Sequence, residues 1–260
     1  MQIPGWLRLP HKIWQDEIHD KRKQIYEKRA LLSCHKKIMK TLELFAGSRS
    51  FTKVAQKHGF KTYTTDNQDF EEINQVCDIF DFNLQKAIDS LGGKPNVIWA
   101  SPPCTTFSIA SCGYHWNKDR TPKTERCKEG IRIIKKTIEI IKEVKPMFYF
   151  IENPRGLLRK QEMMNEFPRH TITYCSYGDM RMKPTDIWTN LKWNPRKMCK
   201  NGNRQCHHQP APRGSSTGTQ GLKGSYERSQ IPADLFEELF QQMGNAQLNA
   251  LLKLFVEENN

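Results

Sequence analysis

The sequence predicts an α/β fold built on a mostly parallel sheet of about six or seven strands. Short apolar segments of strand length alternate along the chain with amphipathic segments of helical length, as the crossover connections of a parallel sheet require. Each apolar segment stops at a glycine, a proline or an acidic residue, which is typical of a strand that ends in a turn. The 260 residues are enough for one large domain or two small ones.

Four apolar segments are predicted as strands, over residues 39–45, 60–66, 95–103 and 147–154. The segment SFTKVAQKHG, which follows the first strand, is predicted as a helix that Gly59 closes. The segment GIRIIKKTIEIIKEV carries apolar residues at helical spacing and predicts another helix over residues 130–144. We expect these elements to form a core over residues 39–191 that carries the functional site.

Three further segments flank or interrupt this core. Residues 1–38 are basic and predict a charged helix, because an apolar residue recurs at every seventh position between residues 18 and 32. Residues 192–227 are rich in Gly, Pro, Ser and basic side chains and predict a small irregular insertion. Residues 228–260 contain two amphipathic runs separated by Gly244-Asn245, which we predict as two helices that pack back on the core.

The charge of the chain limits its class of partner. Lys and Arg number 41 against 28 Asp and Glu, a formal net charge of +13. This excess favours a polyanion, and nucleic acid ahead of a membrane. No apolar run approaches the ~20 residues that span a bilayer, and the first residues lack the apolar segment of a secretory signal. Eight scattered cysteines predict reduced thiols, so we expect a cytoplasmic protein.

The first predicted strand runs into a turn of one aromatic and three small residues, Phe45, Ala46, Gly47 and Ser48. Small residues let the backbone approach a ligand closely. The turn also lies where a strand passes into a helix, which is the edge at which open parallel sheets bind ligands. The motif alone is weak, because a tight strand–helix turn without a ligand has the same composition.

Two acidic positions follow further along the chain. Asp66 ends the second predicted strand and suits a ribose diol, although a lone aspartate equally serves as a helix N-cap. Asp78 and Ile79 offer a carboxylate to an amine and an apolar face to a purine. The alternative for this pair is a solvated acid beside a core isoleucine.

The segment SPPCTTFS over residues 101–108 is more specific. Cys104 follows two prolines at a strand end, so a stiff turn presents its thiol, and the neighbouring hydroxyls can orient a substrate or stabilise a thiolate. Cys77 and Cys175 are instead predicted to be small core residues, as most intracellular cysteines are. Glu152 ends the fourth predicted strand in the sequence IENP, where it is either a candidate acid or a structural hydrogen-bonding group.

The order of these motifs resembles that of the cytosine-C5 DNA methyltransferases, which use S-adenosylmethionine. LELFAGS resembles the family's DLFAG-type turn, PCTTFS its PCQ-x-F-S motif and ENP its ENV motif, with Thr105 in place of Gln and Pro154 in place of Val. YGDMRMK resembles the Q-x-R-x-R motif, with Asp179 in place of Gln and Lys183 in place of the second Arg. The resemblance covers about residues 39–190. The sequence also resembles the small members of the family that are found in phage-like genomes. This resemblance implies that the protein is located in the cytoplasm of a bacterial or phage-infected cell.

The resemblance implies a Rossmann-like methyltransferase fold and a role for each motif. Cys104 would attack C6 of cytosine, Glu152 would protonate N3, and Arg181 or Lys183 would hold O2. A base in a duplex would have to be flipped out. The turn would hold the methionine moiety, Asp66 the ribose and the Asp78-Ile79 pair the adenine. The cofactor site would comprise Phe45, Ala46, Gly47, Ser48, Asp66, Asp78, Ile79, Pro103 and Ser229.

The family's last cofactor motif, G-N-x-V, has two matches. Gly244-Asn245-Ala246 matches by letter, whereas the segment from Arg228 to Leu235 matches by spacing. We favour the second match, because a proline and a helix follow it as in the family, and it makes Ser229 the cofactor contact.

The segment between the Arg motif and this last motif reads the DNA sequence in the family. Residues 155–228 carry fourteen Lys and Arg against five Asp and Glu, which suits phosphate contacts, although a solvated basic loop has the same composition. Cys199, Cys206 and His207 are candidate zinc ligands, because a short insertion with little core gains from a metal. Surface cysteines without a metal are the alternative.

Three functions remain open at this point. The first is a DNA cytosine-C5 methyltransferase, and the second is the same chemistry on RNA. The third is a catalytically silent relic that binds nucleic acid, against which the presence of both Cys104 and Glu152 counts.

Overall fold

Seven β-strands form one sheet in the computed structural model, which describes residues 38–210 and 224–258. The strands are β1 (Lys40–Leu44), β2 (Lys61–Asp66), β3 (Gln75–Val76), β4 (Val97–Ala100), β5 (Phe148–Pro154), β6 (Arg169–Thr173) and β7 (Pro184–Thr189). Their order across the sheet is β3-β2-β1-β4-β5-β7-β6. Neighbours from β3 to β5 run parallel, whereas β7 is antiparallel to both β5 and β6. The predicted α/β fold with a mostly parallel sheet is confirmed.

The described part of the chain contains six α-helices: α1 (Ser50–Lys57), α2 (Leu84–Leu91), α3 (Cys112–His115), α4 (Glu125–Val144), α5 (Ser225–Ser229) and α6 (Ala233–Glu258). The Thr124 hydroxyl accepts a hydrogen bond from the Cys127 amide at the start of α4, as a capping residue does. None of these six helices combines the length and the apolar character that a membrane span requires. The predicted helix within residues 18–32 lies outside the described residues.

Helices pack on both faces of the sheet, and the alternation of side chains along each strand assigns residues to the two faces. In β4, Ile98 and Ala100 belong to the apolar cluster that contains residues of α2 and α4. Val97 and Trp99 belong to a second cluster, which contains residues of α1 and α6. The Trp99 ring lies 4.8 Å from the ring of Phe236 in α6, edge to face. The described core is therefore three layers, helix, sheet and helix.

The C-terminal prediction of two helices separated by Gly244-Asn245 is wrong, because α6 runs through both residues without a break. A glycine inside a helix costs only about 1 kcal/mol relative to alanine. The first half of α6 is anchored by buried side chains, among them Leu235, Phe236 and Leu239. This packing outweighs the local preference of the glycine for a turn.

Strands β3, β6 and β7 and helices α2, α3 and α5 do not appear among the sequence-based expectations. β7 buries polar side chains, including Asp186 and Thr185, at 0% exposure. The Arg159 side chain compensates the Asp186 carboxylate, with Nε at 2.7 Å from Oδ2. An apolar pattern therefore does not mark this strand, although it lies inside the sheet between β5 and β6.

Glu43 is a buried carboxylate where β1 meets α1. Its Oε2 accepts a hydrogen bond from the Thr52 amide at 2.9 Å, and Oε1 accepts one from the Phe51 amide at 3.4 Å. These two amides belong to the first turn of α1 and have no partner within the helix. The side chain of the N-cap residue, Arg49, does not cap them either, so Glu43 takes this role. Burial raises the pKa of Glu43 to about 7, although the hydrogen bonds from Thr52 lower it.

This pKa predicts how stability depends on pH. The folded-state pKa of Glu43 exceeds its ordinary value of 4.5, so its contribution to stability is complete below about pH 4.5 and is lost as the pH rises through about 7. We expect the free energy of unfolding of the unmodified chain, minus that of Glu43→Gln, to fall across this range. Urea unfolding of both chains at several pH values measures the difference. A difference that stays constant or rises with pH would contradict the assignment.

Candidate active site

The loops that carry the candidate residues follow the carboxyl ends of β1, β2, β4 and β5. These four strands are mutually parallel, so the ends lie at one edge of the sheet. The turn at residues 45–48 follows β1, and Asp66 is the last residue of β2. Cys104 lies in the loop after β4, and Glu152 lies in the last part of β5. The predicted site residues from four separate segments therefore meet at this edge.

One cavity at this edge, which we call the Asp66 cavity, has a volume of about 240 Å³. Seven of the nine predicted cofactor residues line it, namely Phe45, Gly47, Asp66, Asp78, Ile79, Pro103 and Ser229. Phe70, Ile133 and Tyr226 add apolar and aromatic surface to the same wall. The cavity thus combines flat apolar faces with two carboxylates.

The backbone of the turn after β1 is fixed by β2. Phe45 and Gly47 both have positive φ, at 58° and 45°. The Gly47 amide donates a hydrogen bond to Asp66 Oδ2 at 2.9 Å, and the Ala46 amide donates to the Thr65 carbonyl at 3.0 Å. Asp66 Oδ1 also accepts a hydrogen bond from the Gln68 amide, so Asp66 holds two loops in place. A carboxylate has further lone pairs, so Asp66 can still accept a hydrogen bond from a hydroxyl of a ligand.

Asp78 and Ile79 have separate surroundings. Asp78 Oδ1 accepts a hydrogen bond from the Phe80 amide at 3.0 Å and caps a short 3₁₀ helix, Ile79–Asp81. Ile79 is buried in the apolar cluster, yet one face of it lines the Asp66 cavity. Asp78 and Ile79 therefore have structural roles as a helix cap and a core residue, and both also line the Asp66 cavity.

A second cavity, which we call the Cys104 cavity, has a volume of about 290 Å³. The remaining cofactor candidates, Ala46 and Ser48, line it together with Cys104, Glu152 and Lys183. Five residues line both cavities: Phe45, Gly47, Ser101, Pro103 and Ser229. The two cavities therefore adjoin, with the thiol in one and the carboxylates of Asp66 and Asp78 in the other.

Three other segments hold the loop that carries Cys104. The Asn153 side-chain amide donates a buried hydrogen bond to the Pro102 carbonyl at 2.9 Å. Trp116 Nε1 donates to the Thr106 carbonyl, and the Leu157 amide donates to the Phe107 carbonyl at 2.7 Å. Because Asn153 directly follows Glu152, the first of these bonds also fixes the spacing between the acid and the cysteine loop.

Glu152 is buried at 5% exposure and has one side-chain partner that the sequence did not indicate. The Tyr174 hydroxyl donates a hydrogen bond to Glu152 Oε1 at 3.0 Å. Tyr174 is fully buried directly after β6, and its burial together with the Glu152 charge raises its pKa well above the ordinary value. Tyr174 therefore remains a neutral donor to the carboxylate.

The charges around Cys104 act in opposite directions. Burial raises the pKa of the Cys104 thiol above 9.0, the positive charge of Lys183 lowers it, and the negative charge of Glu152 raises it. The charge of Lys183 therefore favours a thiolate at this position, and the charge of Glu152 opposes it.

A sequence model of the C-5 cytosine-specific DNA methylase family matches residues 39–174, just over half of the chain. The chain belongs to this family. Its enzyme class is accordingly DNA (cytosine-5-)-methyltransferase, and S-adenosylmethionine is the methyl donor of the family. The matched region contains the loops that follow β1, β2, β4 and β5, and these loops carry residues that line the two cavities.

The methylase is similar to a protein of Frog virus 3 (isolate Goorha) named "Probable DNA (cytosine-5)-methyltransferase". The two are 28% identical over 220 residues, which cover 77% of this chain and 98% of the relative. A solved structure of a Spodoptera frugiperda DNMT2 mutant matches with a TM-score of 0.39 and 18% identity, over 62% of this chain and 54% of that chain. A candidate DNA modification methyltransferase from an E. coli prophage matches with a TM-score of 0.42 and 13% identity, over 58% and 46%. The methylase spans about half the length of these two structures.

The two basic residues of the Arg motif have different positions. Lys183 lines the Cys104 cavity, and its Nζ lies 4.7 Å from the centre of the Tyr174 ring. Arg181 lines neither of the two cavities. Its guanidinium is buried against Asp179 and donates to the backbone carbonyls of Arg228 and Gln230. Lys183 therefore lies in the cavity that contains Cys104, whereas Arg181 braces the segment before α6.

The two matches to the last cofactor motif lie at different places in the structure. Ser229 lines both cavities, at the end of α5. Gly244 and Asn245 lie inside α6 and line neither cavity. The match by spacing therefore contains a residue that lines the site, Ser229, and the match by letter does not.

The predicted metal ligands are brought together in part. Cys199 and Cys206 lie close together, and their histidine neighbour is His208 rather than His207. The His207 ring instead lies against the Asp179 carbonyl, with Nε2 at 3.0 Å from the oxygen, so the assignment of His207 is corrected. The fourth member of the group is Cys175, which sequence reasoning treated as a core residue. Cys77, treated in the same way, is half-buried and lines the Asp66 cavity.

Gly156 offers a test of the contact between the loops after β4 and β5. A Cβ at this position would overlap the Phe107 carbonyl oxygen, which accepts the hydrogen bond from Leu157. We expect Gly156→Ala to lower the free energy of unfolding by about 1–3 kcal/mol, as overpacking does, and to displace the Cys104 loop. Thermal and urea unfolding measure the effect.

Gly113→Ala is the matched control, because a Cβ at Gly113 meets nothing within 4 Å and the residue lies in a helix. Its stability should be unchanged or slightly higher. Equal losses in the two variants would show that the close contact at Gly156 is not what constrains this loop.

Proposed function

We propose that the methylase transfers a methyl group from S-adenosylmethionine to C5 of cytosine in DNA, with Cys104 as the covalent nucleophile. The observation that carries this proposal is the joint position of Cys104, Glu152 and Lys183 in one cavity. That cavity adjoins a second one with the features of a nucleoside site. A thiol, an acid and a cation around one pocket are the groups that addition to a cytosine ring requires.

The residues of the Asp66 cavity fit the methyl donor. Phe45 and Ile79 offer apolar faces to an adenine, Asp66 a carboxylate to the ribose hydroxyls, and Asp78 a carboxylate to an amine. Gly47, at φ 45°, has no side chain, so the backbone of the turn lies directly against the Cys104 cavity. When bound, S-adenosylmethionine supplies an electrophilic methyl carbon.

Cys104 would act first, as a thiolate whose proton has passed to solvent. Its sulfur bonds to C6 of cytosine, and the electron pair of the C5–C6 double bond makes C5 nucleophilic. C5 takes the methyl group as the bond from that carbon to the donor's sulfur breaks and the rest of the donor leaves as a neutral thioether. Loss of the C5 proton to water then restores the double bond and expels the Cys104 thiolate. The nucleic acid and the enzyme then separate, so Cys104 is regenerated in each turnover.

Glu152 would donate its carboxyl proton to N3 of the ring during the attack and take it back when the Cys104 thiolate leaves. The Tyr174 hydroxyl holds Glu152 Oε1 and leaves the other oxygen of the carboxyl free of described side-chain partners. The protonated form that can donate is also the form without the negative charge that raises the Cys104 pKa. One proton on Glu152 therefore favours both the acid and the nucleophile.

Lys183 would bind the O2 oxygen and stabilise the charge that builds up there. It is also the residue whose charge lowers the Cys104 pKa most. Its Nζ lies 3.3 Å from the Arg228 carbonyl, which sets its reach into the cavity. A lysine gives a single point charge at a position where the family's arginine gives a fork.

DNA is the polyanion that the family and the charge together support. The net charge is +13, and Lys197, Lys200 and Arg204 are exposed in the basic stretch after β7. Ile109 and Tyr114, which follow the Cys104 loop, expose 64% and 71% of their surface. Exposed apolar and aromatic side chains near Cys104 in the chain suit contact with bases, including one flipped from a duplex.

The test uses DNA with 5-fluorocytosine in place of cytosine. The C5 proton is then absent, so elimination fails and the methylase stays covalently attached after methyl transfer. We expect a denaturation-resistant adduct that requires S-adenosylmethionine, disappears in Cys104→Ser and forms more slowly in Glu152→Gln. Electrophoresis and mass spectrometry of the adduct measure the outcome.

Cys112→Ser is the control, because this thiol lies in α3 and lines neither cavity. It should form the adduct at the unmodified rate. An adduct that persists in Cys104→Ser and disappears in Cys112→Ser would place the nucleophile elsewhere. An adduct on the matching RNA and none on DNA would reassign the substrate, and no adduct on either would contradict the covalent mechanism.

A further inference from the structure

We propose that Cys175, Cys199, Cys206 and His208 bind one structural zinc ion. The four residues come from two separate parts of the chain. Cys175 lies in the 3₁₀ turn that follows β6, Tyr174–Tyr177. The other three lie in the stretch of residues 194–210 after β7, which we call the basic segment. The ion would fasten the basic segment to the sheet.

The geometry of the four ligand atoms fits tetrahedral zinc. All of them lie within 4.8 Å of one another, and Cys199 Sγ is 3.6 Å from His208 Nδ1. Zinc bonds of about 2.3 Å to sulfur and about 2.0 Å to nitrogen place tetrahedral ligands about 3.6–3.8 Å apart. The longest separations therefore need to close by about 1 Å, which small side-chain rotations accomplish.

The identity of the ligands points to a structural ion. Three thiolates and one imidazole are a complete tetrahedral set, and a closed set of this kind leaves no position for a substrate or a water. The same donor set favours zinc over magnesium or calcium, which prefer oxygen ligands. Among the described residues these four form the group that could hold an ion, and it shares no residue with the lining of either cavity of the active site.

The basic segment has little core of its own. It contains no helix or strand, and its only buried residue is His208. Ordering such a stretch costs about 1–2 kcal/mol per residue in backbone entropy, which little apolar burial offsets here. Binding of zinc supplies folding free energy to small segments of this type.

Hydrogen bonds already bring the ligands to their places. The Cys199 amide donates to Thr173 Oγ1 at 2.9 Å, and the Asn203 side-chain amide lies 3.6 Å from Cys199 Sγ. Amide donors of this kind stabilise a thiolate. Beyond the ligands, the Gln209 amide donates to the Met180 carbonyl at 2.9 Å. The ion would therefore also brace the turn that leads to Lys183.

His208 must lose one contact when the ion binds. Its Nε2 lies 3.3 Å from the Gly202 amide nitrogen. An ion on Nδ1 leaves the ring proton on Nε2, so this amide would turn away to another acceptor or to water. Without the ion, a hydrogen bond between His208 Nδ1 and Cys199 Sγ explains the same 3.6 Å contact. The experiment must separate these two states.

The experiment measures zinc in the full chain, purified under reducing conditions from medium without added zinc. Elemental analysis should give about one zinc per chain, and native mass spectrometry should show the mass of one ion. Cys175→Ser, Cys206→Ser and His208→Gln should each lower the content to about a tenth or less. His207→Gln and Cys112→Ser are the matched controls and should keep the ion. The unmodified protein stripped of zinc should bind cobalt with the absorption of a tetrahedral thiolate site.

Three results would overturn the proposal. They are a metal-free and fully folded unmodified chain, a disulfide between two of the cysteines after reducing purification, and zinc retained by all the ligand variants. The cobalt spectrum of the unmodified protein decides the matter even where a variant fails to fold. Zinc content is independent of methyl transfer, so a zinc-loaded but inactive protein would contradict the proposed function alone.

Discussion

The site depends on one constraint, the common direction of four adjacent strands. Because β1, β2, β4 and β5 are parallel, their carboxyl ends lie at the same edge, and loops that are far apart in sequence become neighbours. Asn153 converts this coarse alignment into a fixed spacing, since its buried hydrogen bond to the Pro102 carbonyl joins the acid's strand to the cysteine's loop. Burial then makes the charges of Glu152 and Lys183 felt at the Cys104 thiol.

The parts that could be predicted from sequence are those with a local cause. Apolar segments that end at glycine, proline or an acidic residue identify β1, β2, β4 and β5. A closing glycine identifies α1, and helical spacing identifies α4. Cys104 and Glu152 then share one pocket, because the loops that follow adjacent parallel strands lie side by side at the same edge of the sheet. Sequence reasoning therefore sufficed for the frame of the site and for the residues on its strand-end loops.

The parts that could not be predicted depend on partners far away in the chain. Asp186 is buried in β7 only because Arg159 compensates it, and no apolar pattern marks that strand. Tyr174 reaches Glu152 across the sheet, which its own segment does not indicate. His207 and His208 are identical in type, and only the backbone direction turns the second toward Cys199. Gly244 lies in a continuous helix because the packing of Phe236 and Leu239 decides the conformation of α6.

The central claim is that the groups around Cys104 act on C5 of cytosine. The most direct measurement gives the protein S-adenosylmethionine with a labelled methyl group, together with DNA or RNA, and then digests the nucleic acid to nucleosides. The account predicts label in 5-methyl-2′-deoxycytidine alone, and none with Cys104→Ala. Label at N4 of cytosine, at adenine or in an RNA nucleoside, or label that persists in Cys104→Ala, would contradict it.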